Sequence, residues 1–104
     1  IIILYIIIMA YKIKKQQYAR ASNHNVTIKP STNKNKKIDV IKNGKKVASI
    51  GAKGYKDFAT YIEEKGLPYA RKRRKLYLER HAKEPKKKDG KYTPSYWSDK
   101  LLWG

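Results

Sequence analysis

Cysteine is absent from this chain, and with it disulfides and thiolate zinc sites. Histidine is scarce: His24 and His81 are the only two and lie far apart, so a zinc-finger arrangement fails on residue counts. Carboxylates are few and scattered. Asp39, Asp57, Glu63, Glu64, Glu79, Glu84, Asp89 and Asp99 show no metal-ligand spacing, and neither histidine accompanies a nucleophile in a recognisable motif. The expectation is a protein that is not an enzyme, with no metal, no cofactor and no small-molecule substrate. Long apolar runs are also missing. The longest, residues 1–9, is less than half of the roughly twenty residues a membrane span needs. Basic residues follow that run instead of preceding it, against the pattern of a signal peptide.

What the chain has in abundance is positive charge. Twenty-six Lys and Arg against eight Asp and Glu leave +18 on 104 residues, and self-repulsion of that size works against any compact state of the chain alone. A polyanionic partner relieves it. Nucleic acid, an acidic protein surface and an anionic membrane all serve, and charge alone does not choose among them. The length supports one small domain that buries about two thirds of its unfolded surface.

Three stretches differ in composition. Residues 1–9 are apolar and β-prone, ahead of an ordinary-looking start at Met9-Ala10, so residues 1–8 are expected to be appended by a gene call or left by processing. If native, they form an assembly strand paired to a neighbour's sheet edge. Residues 10–37 are rich in Lys, Asn, Gln, Ser and Thr with few apolar residues beyond Val26 and Ile28, which predicts an extended basic arm that wraps a partner or remains a solvated linker. Residues 38–104 carry the signals of a small α+β domain, a two-stranded antiparallel hairpin followed by three short helices.

In that domain Asn43-Gly44 is a strong two-residue turn signal, because both central residues of a type I′ turn need positive φ. The implied register sets Lys42 against Lys45, Ile41 against Lys46, Val40 against Val47 and Ile38 against Ser49, with Ile38, Val40 and Val47 on one face. Asp57 is placed to cap a helix carrying Phe58, Tyr61 and Ile62 that stops at Gly66-Leu67-Pro68. A second helix is predicted over residues 69–83, closed by Glu84-Pro85. Lys86-Lys87-Lys88-Asp89-Gly90 reads as a charged turn, and Thr93-Pro94 as the cap and first position of a final short helix.

Gly51-Ala52-Lys53-Gly54 invites comparison with a phosphate loop, but a Walker loop needs Ser or Thr after its Lys, and Lys53 precedes Gly54. A strand-to-helix turn needing positive φ is the expectation. On the second helix Arg73 and Arg80 fall in one arc with Tyr69, Ala70, Leu76 and Tyr77. They either reach internal acids such as Asp57 or Asp99, or contact phosphate. Arg71, Arg74 and Lys75 point the other way with Leu78 and Ala82, and Lys86, Lys87 and Lys88 add to the candidate anion or nucleic-acid contacts. The run from Arg71 to Lys75 has the composition of a nuclear localisation signal, although such signals usually work in flexible segments. Tyr96, Trp97, Leu101, Leu102 and Trp103 form two apolar stripes near the C-terminus. They are either core or an anchor for a protein partner, with base stacking a third possibility.

The hairpin leading into Gly51-Ala52-Lys53-Gly54-Tyr55-Lys56-Asp57-Phe58, then Arg74, Tyr77 and Arg80-His81, and finally Tyr96-Trp97-Ser98 with Leu101-Leu102-Trp103, resembles a family of small basic proteins of nucleocytoplasmic large double-stranded DNA viruses, such as those infecting algae. The likeness covers residues 38–103. It implies a viral setting, with the virion as location and both cytoplasm and nucleus open in the infected cell. Joined to the arm and the aromatic block, it leads to the expectation of a structural virion component, a minor capsid or cement protein bound to other capsid proteins. The alternative is a non-specific DNA-binding or genome-condensing protein. The first asks for residues 12–37 in extended form; the second asks for Arg71, Arg74, Lys75 and Lys86 to Lys88 on one uncovered face.

Overall fold

The Asn43-Gly44 turn reverses the chain as its chemistry demands: φ is 52° at Asn43 and 77° at Gly44, and Lys42 stands opposite Lys45. The structure, a computed structural model, describes residues 11–104; the apolar segment 1–9 and the start at Met9-Ala10 lie outside the described residues. The turn joins strands β2 (Lys36–Lys42) and β3 (Lys45–Ala52). Beyond Ile41 opposite Lys46 the expected register is corrected, because Val40 pairs with Ala48 and Ile38 with Ile50. Val47 is the extra residue of a β-bulge and is left exposed. An unbulged ladder would point Val47 and Ser49 at the core. The bulge instead buries Ala48 and Ile50, and it frees the Ser49 hydroxyl to donate to Asp39 at 2.7 Å.

The extended arm is corrected too. Residues within 10–37 form helix α1 (Lys15–Asn23) and strand β1 (Thr27–Pro30), which pairs antiparallel with β2 and makes a three-stranded sheet in the order β1-β2-β3. Gln17 reaches back to accept from the Lys14 N–H at 2.8 Å at the helix start. The helix ends in a Schellman arrangement: Val26 N–H donates to the Ala21 carbonyl, Asn25 N–H to that of Ser22, and Asn25 takes φ 56°. Ile13, Gln17 and Ala21, four residues apart, are all buried. Ile28 lies opposite Val40, so the edge strand adds a buried side chain to a hairpin that is marginal by itself.

Four α-helices thus accompany the sheet, and the fold is α+β. Asp57 caps α2 (Phe58–Lys65) by accepting from the Thr60 N–H at 3.0 Å, and Gly66, at φ 87°, separates it from α3 (Leu67–Arg80). The long helix therefore occupies residues 67–80, not 69–83. The charged turn is a miniature hairpin, β4 (Lys87–Lys88) and β5 (Lys91–Tyr92), turned by Asp89 and Gly90 at positive φ. Thr93 caps α4 (Pro94–Trp97), which runs on as a π-helical turn, Ser98–Leu102, closed by the Trp103 N–H donating to the Ser98 carbonyl at 3.2 Å. No helix among the described residues is long and apolar enough to cross a membrane.

The register puts Ile28, Ile38, Val40, Ala48 and Ile50 on one sheet face, and α1, α4 and the π-turn pack near it. These five join Ala21, Phe58, Ala70, Trp97, Leu101, Leu102 and Trp103 in one buried cluster. A buried polar knot sits beside it. The Asp57 carboxylate accepts from the Tyr11 hydroxyl at 2.5 Å, from Lys37 Nζ at 3.1 Å and from both the amide and hydroxyl of Thr60. Burial opposes the charge on Asp57, but the Tyr11 hydrogen bond, the Lys37 ammonium and Thr60 outweigh it and hold the carboxyl below its usual range.

Asp39 points to the opposite sheet face and is also buried. Burial again works against its charge; hydrogen bonds from Ser31 at 2.6 Å, Ser49 and the Thr32 N–H, with Lys46 nearby, win and lower its pKa to about 2. A carboxyl depressed in the folded state contributes stability above its ordinary value of 3.8, and that contribution is lost as pH falls toward about 2. Asp39→Asn is therefore expected to lower Tm at neutral pH and to flatten the fall in Tm across that acidic window. Thermal melts of both chains through the window check this, and parallel acid profiles would contradict it.

Candidate functional site

With 26 cations and eight carboxylates, most cations must do without an ion-pair partner. Among the described residues the paired lysines are Lys14, Lys37, Lys46, Lys56 and Lys86, held by Glu63, Asp57, Asp39, Glu64 and Asp99 respectively. Helix α3 contributes none of them. Arg71, Lys72, Arg73, Arg74, Lys75 and Arg80 all lie on this one helix without an ion pair among the described residues.

The six divide with one departure from the sequence expectation, which set Arg74 beside Arg71 and Lys75 on an exposed face. Arg71, Lys72 and Lys75 are exposed. Arg74 is half-buried, its guanidinium 4.3 Å from the centre of the Phe58 ring, which makes it a packing group as much as a surface charge. Arg73 lies over the Tyr61 ring at 5.5 Å and, with Arg80, turns toward a cleft. Neither arginine pairs with Asp57 or Asp99, the internal acids that stood as their alternative partners. Of the turn lysines, Lys87 and Lys88 are exposed. Lys86 is half-buried and tied down by Asp99 at 2.8 Å, Ser95 at 2.7 Å and the His81 carbonyl.

The cleft has a volume of about 580 Å3 and lies between the end of the β2–β3 ladder, α3 and the start of α4. Gly51 makes its floor possible. At φ 78° it adopts a backbone that side chains disfavour, and a Cβ there would stand 2.9 Å from Leu102 Cδ1, so glycine lets the π-turn approach the sheet end. Tyr77 is stacked on Trp103 at 4.5 Å and meets His81 at a tilt at 4.3 Å, and its hydroxyl, whose pKa burial pushes up, bonds to Ser98 Oγ at 2.9 Å. The acids of the cleft have other partners. Glu84 is held below the usual carboxylate range by its His81 and Ser95 hydrogen bonds, Asp57 sits in its polar knot with Lys37, and neither forms an ion pair with the arginines.

The aromatic C-terminal block is interior. Trp97, Leu101, Leu102 and Trp103 are buried in this chain's own core, and Tyr96 is half-buried and stacked on Tyr92 at 3.8 Å. Of the three uses open from the sequence, core is the one these four side chains have here. Lys36 and His81 belong to the cleft but carry no sequence signal for it, since Lys36 reaches α3's neighbourhood only through the fold.

Residues 26–63 match the model of a family of unknown function, DUF5754. The matched stretch holds the three-stranded sheet and most of α2, and stops before α3. No curated protein and no solved structure matches the chain.

Proposed function

We propose that the protein binds nucleic acid through the phosphate backbone, without sequence preference, as a genome-associated protein of a large DNA virus. The observation that carries this reading is α3, a helix whose six cations outnumber its one acid, Glu79, and make no ion pair among the described residues, with Arg71, Lys72 and Lys75 open to solvent. Such charges gain most from a polyanion, because each phosphate neutralised releases condensed counterions. Lys87 and Lys88 add two further exposed cations, whereas Arg74 and Lys86 are engaged inside the domain.

A cement role drew on an extended arm and an outward-facing aromatic end. Residues 15–30 are folded onto the sheet and the core, and the tryptophans are covered, so the charge supports the nucleic-acid reading better. The experiment is fluorescence anisotropy with duplexes of unrelated sequence over a salt series. About six phosphate contacts predict a loss of roughly a thousandfold in affinity between about 50 and 200 mM salt, equal for all sequences. Arg71→Gln with Lys75→Gln is expected to reduce the salt slope by about two. Absence of binding at about 50 mM salt would remove the reading.

A further inference from the structure

We infer that the cleft between the sheet end and α3 is a binding site for a phosphate monoester, the phosphate of a nucleotide or of a nucleic-acid end, held by Arg73, Arg80 and Lys36. This goes beyond backbone binding by the exposed face of α3 and uses different side chains. Three observations converge on it. The cleft's volume of about 580 Å3 falls within the range of small-ligand sites. Arg73 Nε is buried and has no hydrogen-bond partner, a donor deprived of water and left without an acceptor. The cleft's remaining charge is positive: Lys37 is paired with Asp57 and Lys56 with Glu64, while Lys36, Arg73 and Arg80, which outnumber the Glu84 carboxylate, make no ion pair or side-chain hydrogen bond among the described residues.

The chemistry of those donors selects the ligand. A guanidinium offers planar paired N–H groups that match phosphate oxygens bidentately, and an ammonium adds a point charge. Arg73 and Arg80 stand seven residues apart, two helical turns, on the same side of α3, with Lys36 entering from the sheet. Three uncommitted cations match a dianionic monoester better than the single charge of a backbone diester. Of the cleft's aromatic side chains Tyr77 packs on Trp103 and His81 and Tyr61 lies beneath Arg73, while Tyr55 stays exposed, so it is the three cations that select the ligand, through its phosphate.

The test compares hexathymidylate carrying a 5′ phosphate with the same oligonucleotide ending in a 5′ hydroxyl, and includes thymidine monophosphate and inorganic phosphate, all titrated by calorimetry against the full chain. The 5′ phosphate is expected to raise affinity about tenfold. Arg73→Gln and, separately, the exposed Arg80→Gln are expected to abolish that increment while binding of the hydroxyl-ended strand persists, which also shows that the variants fold. Competition by thymidine monophosphate as strong as by the phosphorylated strand assigns the site to free nucleotides. A gain confined to the strand assigns it to nucleic-acid ends. Equal affinity for the two strands together with no heat from thymidine monophosphate or phosphate overturns the inference, whatever the salt-dependent binding to duplexes shows.

Discussion

Trp97→Ala is expected to unfold the isolated chain. Trp97 is 3 % exposed and stands edge-on to His24, Tyr92 and Tyr96, so it joins α1, the β4–β5 hairpin and α4 at one point. Truncating a buried Trp to Ala costs about 3–5 kcal/mol, through lost transfer energy and the cavity left behind. The whole stability of a domain this size is about 5–15 kcal/mol, and a net charge of +18 pulls toward the low end by self-repulsion. Circular dichroism and thermal melts of the isolated chain read the outcome. A variant with native helix signal and an unchanged Tm would mean that Trp97 is not the core residue described, and would return it to the role of a partner anchor.

Asp57→Ala is expected to be nearly as damaging, for electrostatic reasons. Its carboxylate accepts from Tyr11, Lys37 and Thr60, so one substitution removes the α2 cap and leaves the Lys37 ammonium, with 7 % of its side chain exposed, as an uncompensated buried charge. Breaking such a pair from one side costs about 3–5 kcal/mol, and a lost cap about 1 kcal/mol; the two share a residue and do not simply add. The diagnostic comparison is the double variant Lys37→Met with Asp57→Asn. Replacing both charges removes the unpaired ion, so the double variant is expected to be more stable than Asp57→Ala in denaturant titrations. A double variant less stable than Asp57→Ala would show that the unpaired lysine is not the source of the loss. Because the Asp57 carboxyl is depressed in the folded state, its contribution is present above the ordinary carboxylate range and fades as pH falls below it.

Some of this architecture is written in short stretches of sequence. The Asn43-Gly44 turn, the Asp57 and Thr93 caps and the Gly66 break were all legible, because each depends on the conformational preferences of a few adjacent residues. The helical period likewise placed Arg73 and Arg80 together and Arg71, Arg74 and Lys75 apart from them, but the Phe58 ring that half-buries Arg74 comes from another helix and left no mark in that period. Composition misled at residues 10–37. Lysine and asparagine dominate there and read as an open arm, yet Ile13, Gln17 and Ala21 have helical spacing and Asn25 supplies the left-handed stop. Those signals are too weak to hold a nine-residue helix in water, and they act only once the core is present to receive that face.

The +18 charge, the lack of any cysteine chemistry and the cation-rich face of α3 follow from the sequence alone, since they need only residue identities and one helical period. The tertiary structure decided what required distant groups to meet. It chose the bulge after Val40, because burying Ile50 and giving Ser49 to Asp39 outweighs burying Val47. It turned the C-terminal tryptophans inward, because the sheet face and α1 offered apolar area to cover. It brought Lys36 to the arginines of α3 across a cleft, a juxtaposition with no local signature, because Gly51 allows the π-turn to close against the end of the sheet.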